Sequence, residues 1–419
     1  MTRTPPPLAL QGCGLFLLLI FLTMFTTSCS PRGETKAQGD SPVVRIRLLA
    51  AADRCDVVAA DAPMIVTDAS RTRRKLGMPA GQPVTVTLGD RGWLINGVLA
   101  GSSTSPMEIE PATPGGVQLN GQRYRGSYRF VATNDARKFD VVNDVDVESY
   151  LLGVLSKELL PDWHIEAYKA QAVIARTYAL YEVRTGTTGR HWDLNPDERS
   201  QVYGGMNAET SKSTQAVDAT RGVVAVWGAP GQEKIFKAYF SSCCGGISNS
   251  SADVFNEKPI PPLDAKYNGN TCSISTRYNW GPIVFTKAEL TRRIRAWGVK
   301  QGRVESTIPG VANIEIATAN QFGRPRRFLL TDIKGQQYSL TAEQMRWAIN
   351  AEANGGPIVW SSFFRPVDVG DSIQFVEGHG FGHGVGACQW CMQAQALAGD
   401  SFETIVVKNY PQAQVTRAY

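Results

Sequence analysis

The hydrophobic pattern changes period several times along the chain. Leu15 to Phe25, LFLLLIFLTMF, is an almost wholly apolar run of eleven residues preceded by Arg3. A membrane-spanning helix needs about 20 such residues, so the run has the length of a signal-peptide core instead. Residues 1–28 are therefore expected to be a signal peptide and residues 29–42 a polar linker, since Ser30 to Asp40 reads SPRGETKAQGD. From Val43 the pattern alternates, as in VVRIRLL and PVTVTLG, with glycine-containing turns in RGWLINGVLAG and YRGSYRFVAT. Alternation of this kind predicts a β-rich domain over 43–145. The period shifts near Val147: Leu151, Val154, Leu155 and Leu159 fall at helical spacing and stop before Pro161. A second helix is predicted from about Trp163 to Val183, with Asp162 as its cap. Its alanines at 167, 170, 172, 175 and 179 permit close approach by neighbours, which marks a buried central helix.

Beyond that helix, glycine and serine alternate with short strands such as RGVVAVWG and KIFKAYFSS. Residues 283–375 read as an inserted α/β segment, with a helix over Lys287 to Trp297 and strands at VANIEIATA and RFLLTDI. Residues 376–419 open on a glycine-dense loop and continue as a helix. The expected class is α+β: a mostly β N-terminal region, then a central helical core with glycine-rich strands forming a cleft. That core is split into 146–282 and 376–419 by the small insert.

Composition narrows this picture. With 419 residues, 43% hydrophobic and 19% charged, the chain has room for two or three globular domains. The net charge of +5 is mild, and the one basic run, Arg71, Arg73, Arg74 and Lys75, lacks interleaved aromatics. It reads as a solvated loop, and no nucleic-acid partner is expected. The sequence Thr26-Thr27-Ser28-Cys29 resembles a lipoprotein cleavage site, with Thr26 where Leu is usual. Cys29 is the lipidation candidate, and a lipid or an uncleaved signal would tie the chain to a membrane. The expected location is the cell envelope, after export.

Cys13 would leave with the signal peptide, and export bears on the remaining six cysteines, which outside the cytosol would be oxidised or bound to metal. Cys388-x-x-Cys391 has redox and metal spacing, and Cys243-Cys244-Gly-Gly precedes a lone Cys272. Cys244, Cys272, Cys388 and Cys391 suit either a zinc site or two disulfides, and spacing does not decide between them.

Two further features bear on chemistry. Counting back four and seven residues from Glu158 reaches Val154 and Leu151, which puts its carboxyl on or beside the apolar helix face. Desolvation there disfavours the charged form, which is what a general acid at neutral pH requires. The second is the loop Gly378 to Gly386, GHGFGHGVG, holding His379 and His383. Its glycines allow tight turns and close approach of backbone to a ligand. The helical His-x-x-x-His zinc argument does not apply to such a loop, and no Lys-Ser/Thr follows to make a phosphate loop.

Four blocks in fixed order then carry a resemblance. They are DVESYLLGVLSKELLPDWHIEAYKAQAVIARTYAL from Asp146, WDLNPDERSQVYGG from Trp192, AYFSSCCGGISNSSADVF from Ala238, and GHGFGHGVGACQWCMQAQALAGDSFETIVVKNYP from Gly378. Together they resemble the stage II sporulation protein D family, which includes the amidase-enhancer proteins. The resemblance implies a peptidoglycan lytic transglycosylase acting on glycan strands stripped of stem peptides. It implies Glu158, in Ser-Lys-Glu-Leu-Leu-Pro, as the single acid/base, leaving a 1,6-anhydro-muramic end. No second carboxylate is needed; Asp193 is the candidate if one exists. Gln171, Arg176, Tyr178, Gln201, Tyr203, His383 and Gln389 match polar motif positions and are expected at the glycan cleft. The alternative within the same family is a non-catalytic glycan-binding module, or an activator of a separate cell-wall amidase. No cofactor is required. A structural zinc has been associated with some relatives through a Tyr-His pair, but here Tyr239-Phe240 lacks the His. Cysteines also replace two small residues of the family's Ser-Gln-Trp-Gly, giving Cys388-Gln389-Trp390-Cys391.

Overall fold

The alternating N-terminal segments form two six-stranded sheets in a computed structural model that describes residues 41–59, 65–67, 73–75, 81–111, 116–135, 137–186 and 189–419. Cys29 and the expected signal peptide lie outside the described residues. The first sheet orders its strands Val43–Ala52, Phe139–Asp146, Ser127–Ala132, Met107–Glu110, Ile65–Thr67 and Arg73–Lys75. The second runs Gln122–Tyr124, Val117–Leu119, Arg54–Ala59, Pro83–Gly89, Gly92–Ile95 and Val98–Gly101. Period-2 side chains from both sheets share one apolar core, built from Val57, Val84, Val86, Ile109 and Val141 around Trp93, Phe130 and Phe139. Trp93 satisfies its one donor on the Ser105 carbonyl at 3.0 Å, so its ring is buried without an unpaired N–H. Part of the basic run expected in a loop is instead a strand, Arg73–Lys75, paired antiparallel with Ile65–Thr67.

The sheets end where Asp146 caps the first helix, α1 (Val147–Glu158), accepting from the Ser149 N–H at 3.1 Å. Leu159 turns extended, and α1 stops ahead of Pro161. α2 (Ile165–Thr185) begins two residues later than the sequence predicts, and its cap is His164, not Asp162. The His164 Nδ1 accepts from the Glu166 N–H at 3.2 Å, while Asp162 is taken up in a turn closed by Trp163 N–H to Leu160 carbonyl. Within α2, Ala170 to Leu180 is buried without a break. A helix apolar or sequestered all round belongs at the centre of a core. Packed around it are α1, α3 (Ser211–Ala219), the strand Val223–Trp227, and two later helices.

Next comes one short helix, α4 (Ser251–Phe255). The insert follows with α5 (Lys287–Gln301) and α6 (Ala342–Asn350), set against two three-stranded sheets. It has its own apolar cluster, including Leu290, Trp297, Phe328, Met345, Phe364 and Phe375. α5 runs a turn past Trp297 and ends on Gly302, whose φ of +61° is the left-handed cap that glycine supplies. α6 has no counterpart in the sequence reading. The chain then returns to the central core as α7 (Gln389–Leu397) and α8 (Phe402–Asn409), and the strand Gln414–Arg417 pairs with Val223–Trp227. The architecture is α+β. Among the described residues no helix is long and apolar enough to cross a membrane.

Candidate active site

Glu158 is the last residue of α1, partly exposed, with its carboxyl directed at the loop Gln201–Tyr203. Its Oε1 accepts from the Val202 N–H at 2.9 Å. Burial pushes its pKa above the ordinary carboxylate range. The Val202 N–H and the Gln389 amide work against that shift, and the charge of Glu198 adds to it. The carboxyl is thus both hydrogen-bonded and biased toward its protonated form, which suits proton donation.

The loop is brought to α1 by a glycine. A Cβ at Gly153 would sit 2.8 Å from the Gly205 carbonyl oxygen and from the Tyr203 ring, so only glycine lets the loop lie on the helix. Gln201 Oε1 accepts from the Tyr150 hydroxyl at 3.1 Å, and the Tyr203 ring packs 4.9 Å from that of Tyr150. Tyr203 also donates to Asn143 Oδ1 at 3.3 Å, tying the loop to the first sheet.

α7 closes the other side. Gln389 Nε2 donates to the Glu158 carbonyl at 3.1 Å. One turn on, Gln393 Oε1 accepts from the His164 N–H at 2.9 Å. Trp390 meets Trp163 edge-on at 4.9 Å. These contacts seat the start of α7 on the turn between α1 and α2, beside the carboxyl.

Other expected residues are placed differently. Arg176 is fully buried on α2, where its Nε and a terminal nitrogen grip Glu148 at 3.0 and 2.6 Å, and it also donates to the Val223 carbonyl. Asp193 is buried and ion-paired with Arg45, accepting from its backbone N–H at 2.9 Å and its guanidinium at 3.0 and 2.5 Å. Both are engaged in holding segments together, and neither carboxylate nor guanidinium is free for a glycan. Gln171 is buried in α2 with neither amide atom paired within the protein, and Gln201 leaves its Nε2 unpaired. Tyr178 carries Lys237 Nζ 5.4 Å from its ring centre. His383 uses Nδ1 to accept from the Val385 N–H at 2.9 Å, and its ring lies against Phe255 and Tyr239. Burial lowers its pKa to about 4, so at neutral pH it is uncharged. His379, also singled out by the loop motif, pairs Nδ1 with Asn279 Oδ1 at 2.7 Å. Sequence reasoning missed the Val202 N–H, as it must, because a backbone donor leaves no residue signature.

The glycine loop runs between two strand-like segments. Cys243 and Phe381 exchange backbone hydrogen bonds at 3.0 and 2.8 Å. Gly386, at φ +73°, would place a Cβ 2.0 Å from the Tyr239 carbonyl oxygen. This threading delivers Cys388 to a buried group of sulfurs. The Sγ atoms of Cys244, Cys272, Cys388 and Cys391 all lie within 4.8 Å of one another, with Cys244 at 3.6 Å from Cys272 and 3.9 Å from Cys391. All six described cysteines are free thiols, none joined in a disulfide. Four thiolates around one zinc at about 2.3 Å would sit ~3.8 Å apart, so the group fits a tetrahedral metal and could hold one.

A family model described as stage II sporulation protein (SpoIID) matches residues 135–227. An uncharacterized protein of Brachyspira hyodysenteriae is 32% identical over 294 residues, covering 70% of this chain and 72% of that one. The amidase enhancer of Bacillus subtilis is 26% identical over 349 residues, 74% of this chain but 47% of the enhancer, so the chain spans less than half of that relative. Stage II sporulation protein D of the same organism is 27% identical over 304 residues, covering 66% and 76% of the two chains.

Proposed function

The chain belongs to the stage II sporulation protein D family, and from that premise we propose that it works at the cell wall as a lytic transglycosylase on peptidoglycan glycan strands. The observation that carries the reading is the Glu158 carboxyl, held above the usual carboxylate range by burial beside a loop and a helix end that frame it.

In the proposed reaction Glu158 begins protonated. It donates to the oxygen linking N-acetylmuramic acid to N-acetylglucosamine as the C1–O4 bond breaks. The same carboxylate then takes the proton of the muramic C6 hydroxyl, whose oxygen closes on C1. One C–O bond breaks and one forms, the proton returns to Glu158, and no water is consumed. A single carboxyl suffices, in contrast with the two-carboxylate hydrolases. This fits the engagement of Asp193 by Arg45. The substrate proposed is glycan free of stem peptides, with Gln201, Tyr203 and Gln389 nearest the reacting bond. Export to the envelope, with attachment through Cys29 or an uncleaved signal, completes the proposal.

No cofactor enters this chemistry. A structural zinc on Cys244, Cys272, Cys388 and Cys391 would act as a cross-link only. Gln389 lies between two of those cysteines, so the metal would fix the start of α7 and, through Gln389, the backbone of Glu158.

A second reading is favoured by the amidase-enhancer relative: a glycan-binding protein that activates a separate wall amidase. Digestion of purified glycan strands, with and without stem peptides, separates the two. The purified chain is expected to release 1,6-anhydro-muramic ends detectable by mass spectrometry, and Glu158→Gln none. If neither makes product while both pellet with the glycan, the catalytic reading is wrong and the binding reading stands.

A further inference from the structure

A cavity of about 510 Å³ opens between Tyr181 of α2, the hairpin that pairs Val226 with Ile235, and residues 257–263. That volume is in the range of small-ligand sites. Its apolar wall includes Phe236 and Leu263, both buried, and the half-buried Trp227. Its charged wall is one-sided: Lys234, Lys237 and Lys258 line it against a single acid, Glu257. Glu257 is engaged, accepting from the Tyr239 hydroxyl at 2.6 Å. Lys237 is engaged too, donating to Glu182 at 2.8 Å, with its Nζ 5.4 and 5.1 Å from the centres of the Tyr178 and Tyr239 rings. Glu182 is shared with Arg190 at 3.6 Å. Lys234 and Lys258 are exposed, and their ammonium groups meet no acid among the described residues. Glu233 and Asp264 adjoin lining residues in sequence but do not line the cavity. The cavity thus presents two unpaired cations and no unpaired acid. Its wall also leads toward Glu158. Tyr178 lies against both Lys237 and Ser200, and Ser200 precedes the loop that holds the Glu158 carboxyl.

We propose that this cavity is a subsite for a muramic acid residue whose lactyl carboxylate is free, and that Lys234 and Lys258 are the cations that select it. The proposal rests on the reading of the substrate as stem-peptide-free glycan, and it gives that preference a physical source. Where a stem peptide is attached, the lactyl carboxyl is an amide and carries no charge. Removal of the peptide frees one carboxylate on each muramic residue. An ammonium at the cavity rim attracts that carboxylate and gains far less from the amide. The apolar wall suits the rest of the group, since the lactyl and acetamido methyls leave water against Phe236, Leu263 and Trp227. Lys237 has a different part. Held by Glu182 between two tyrosine rings, it is the fixed wall between the cavity and Tyr178. With Lys237, Tyr178 and Ser200 standing between the cavity and the Glu158 carboxyl, the subsite selects the strand and takes no part in bond cleavage.

The test is calorimetric binding to the full chain carrying Glu158→Gln, so that no ligand is consumed. Three probes are compared: a tetrasaccharide of alternating N-acetylglucosamine and N-acetylmuramic acid with free lactyl acids, its lactyl methyl amide, and the N-acetylglucosamine tetramer, which has no lactyl group. The free acid is expected to bind about tenfold more tightly than either neutral probe, as a charge-assisted contact implies. That advantage should shrink as salt is raised from roughly 0.05 to 0.5 M. Adding Lys234→Met and Lys258→Met together should bring the three affinities to within about twofold of one another, whereas the paired Lys→Arg changes should keep the preference. Both positions are exposed, so these variants should fold. Equal binding of acid and amide, a preference that survives the double Met change, or no binding of any probe would each overturn the subsite. Anhydro-end formation by the wild type is assayed alongside. If ends form without any preference for the acid, the subsite fails and the transglycosylase reading stands. If a lysine-dependent preference appears in a chain whose wild type makes no ends, the subsite stands and the catalytic reading fails.

Discussion

The side-chain amide of Gln389 donates to the backbone carbonyl of Glu158 across 231 residues of sequence. It joins the start of α7 to the last residue of α1, while the Val202 N–H fixes the carboxyl from the other side. Gln389→Ala is expected to lower the rate of anhydro-end formation by about 10- to 100-fold, by letting the carboxyl drift from its productive geometry. Because the Gln389 amide holds the Glu158 pKa down, its removal should also move the alkaline limb of the pH–rate profile upward. A slower enzyme with an unmoved profile would mean that Gln389 acts elsewhere.

Glu158 itself predicts a pH dependence of both rate and stability. As the proton donor it must be protonated, so cleavage should fall as pH rises through its raised folded-state value. For stability, a folded pKa above the unfolded one means that the native state holds the proton more tightly. That contribution is present below the unfolded carboxylate value and is lost as pH rises through the folded one. Urea melts of wild type and Glu158→Gln between pH 4 and 8 should therefore diverge, with the wild type losing ground toward higher pH. A constant difference across the range would show that burial does not perturb this carboxyl.

The Arg176–Glu148 pair leads to a different expectation. Both side chains are out of solvent, 0% and 4% exposed, and Glu148 also accepts from the Gly222 N–H at 2.9 Å and the Tyr419 hydroxyl at 2.5 Å. Arg176→Met would leave a buried carboxylate without its counter-charge, at a cost of about 3–5 kcal/mol. Denaturant unfolding should register that loss. Glycan cleavage per folded molecule should be unchanged, because the guanidinium is turned into the core. Loss of cleavage with stability intact would restore Arg176 to the cleft, where its motif position puts it.

Much of this architecture was legible in the sequence because periodicity reports burial. Period 2 marked Pro83–Gly89 and period 3.6 marked α1, and both bury the residues the pattern selected. The helix-start error at α2 arose because Asp162 and His164 can both cap, and the Leu160–Trp163 turn decides between them. Glu158 was legible because its spacing from Val154 and Leu151 fixes its helix face. Of its surroundings, Gln389 was reachable only through the family resemblance, since it arrives from the far end of the chain, and Val202 not at all, since it acts through backbone.

Asp193 offers the sharpest separation of structural from catalytic roles. Its carboxylate receives three donors from Arg45, and the adjoining backbone pairs with the first strand through Asp193 N–H to the Arg45 carbonyl and Arg47 N–H to the Leu194 carbonyl. It is a stitch between the sheet and the loop that reaches Glu158. Asp193→Asn keeps the shape but removes the charge, and loss of charge-assisted hydrogen bonds costs about 1.5–3 kcal/mol. The variant should melt earlier yet still produce anhydro-muramic ends at a similar rate per folded molecule. If the fold survives intact and product formation disappears, Asp193 is a second working carboxylate, and the single-acid mechanism gives way to a two-carboxylate one.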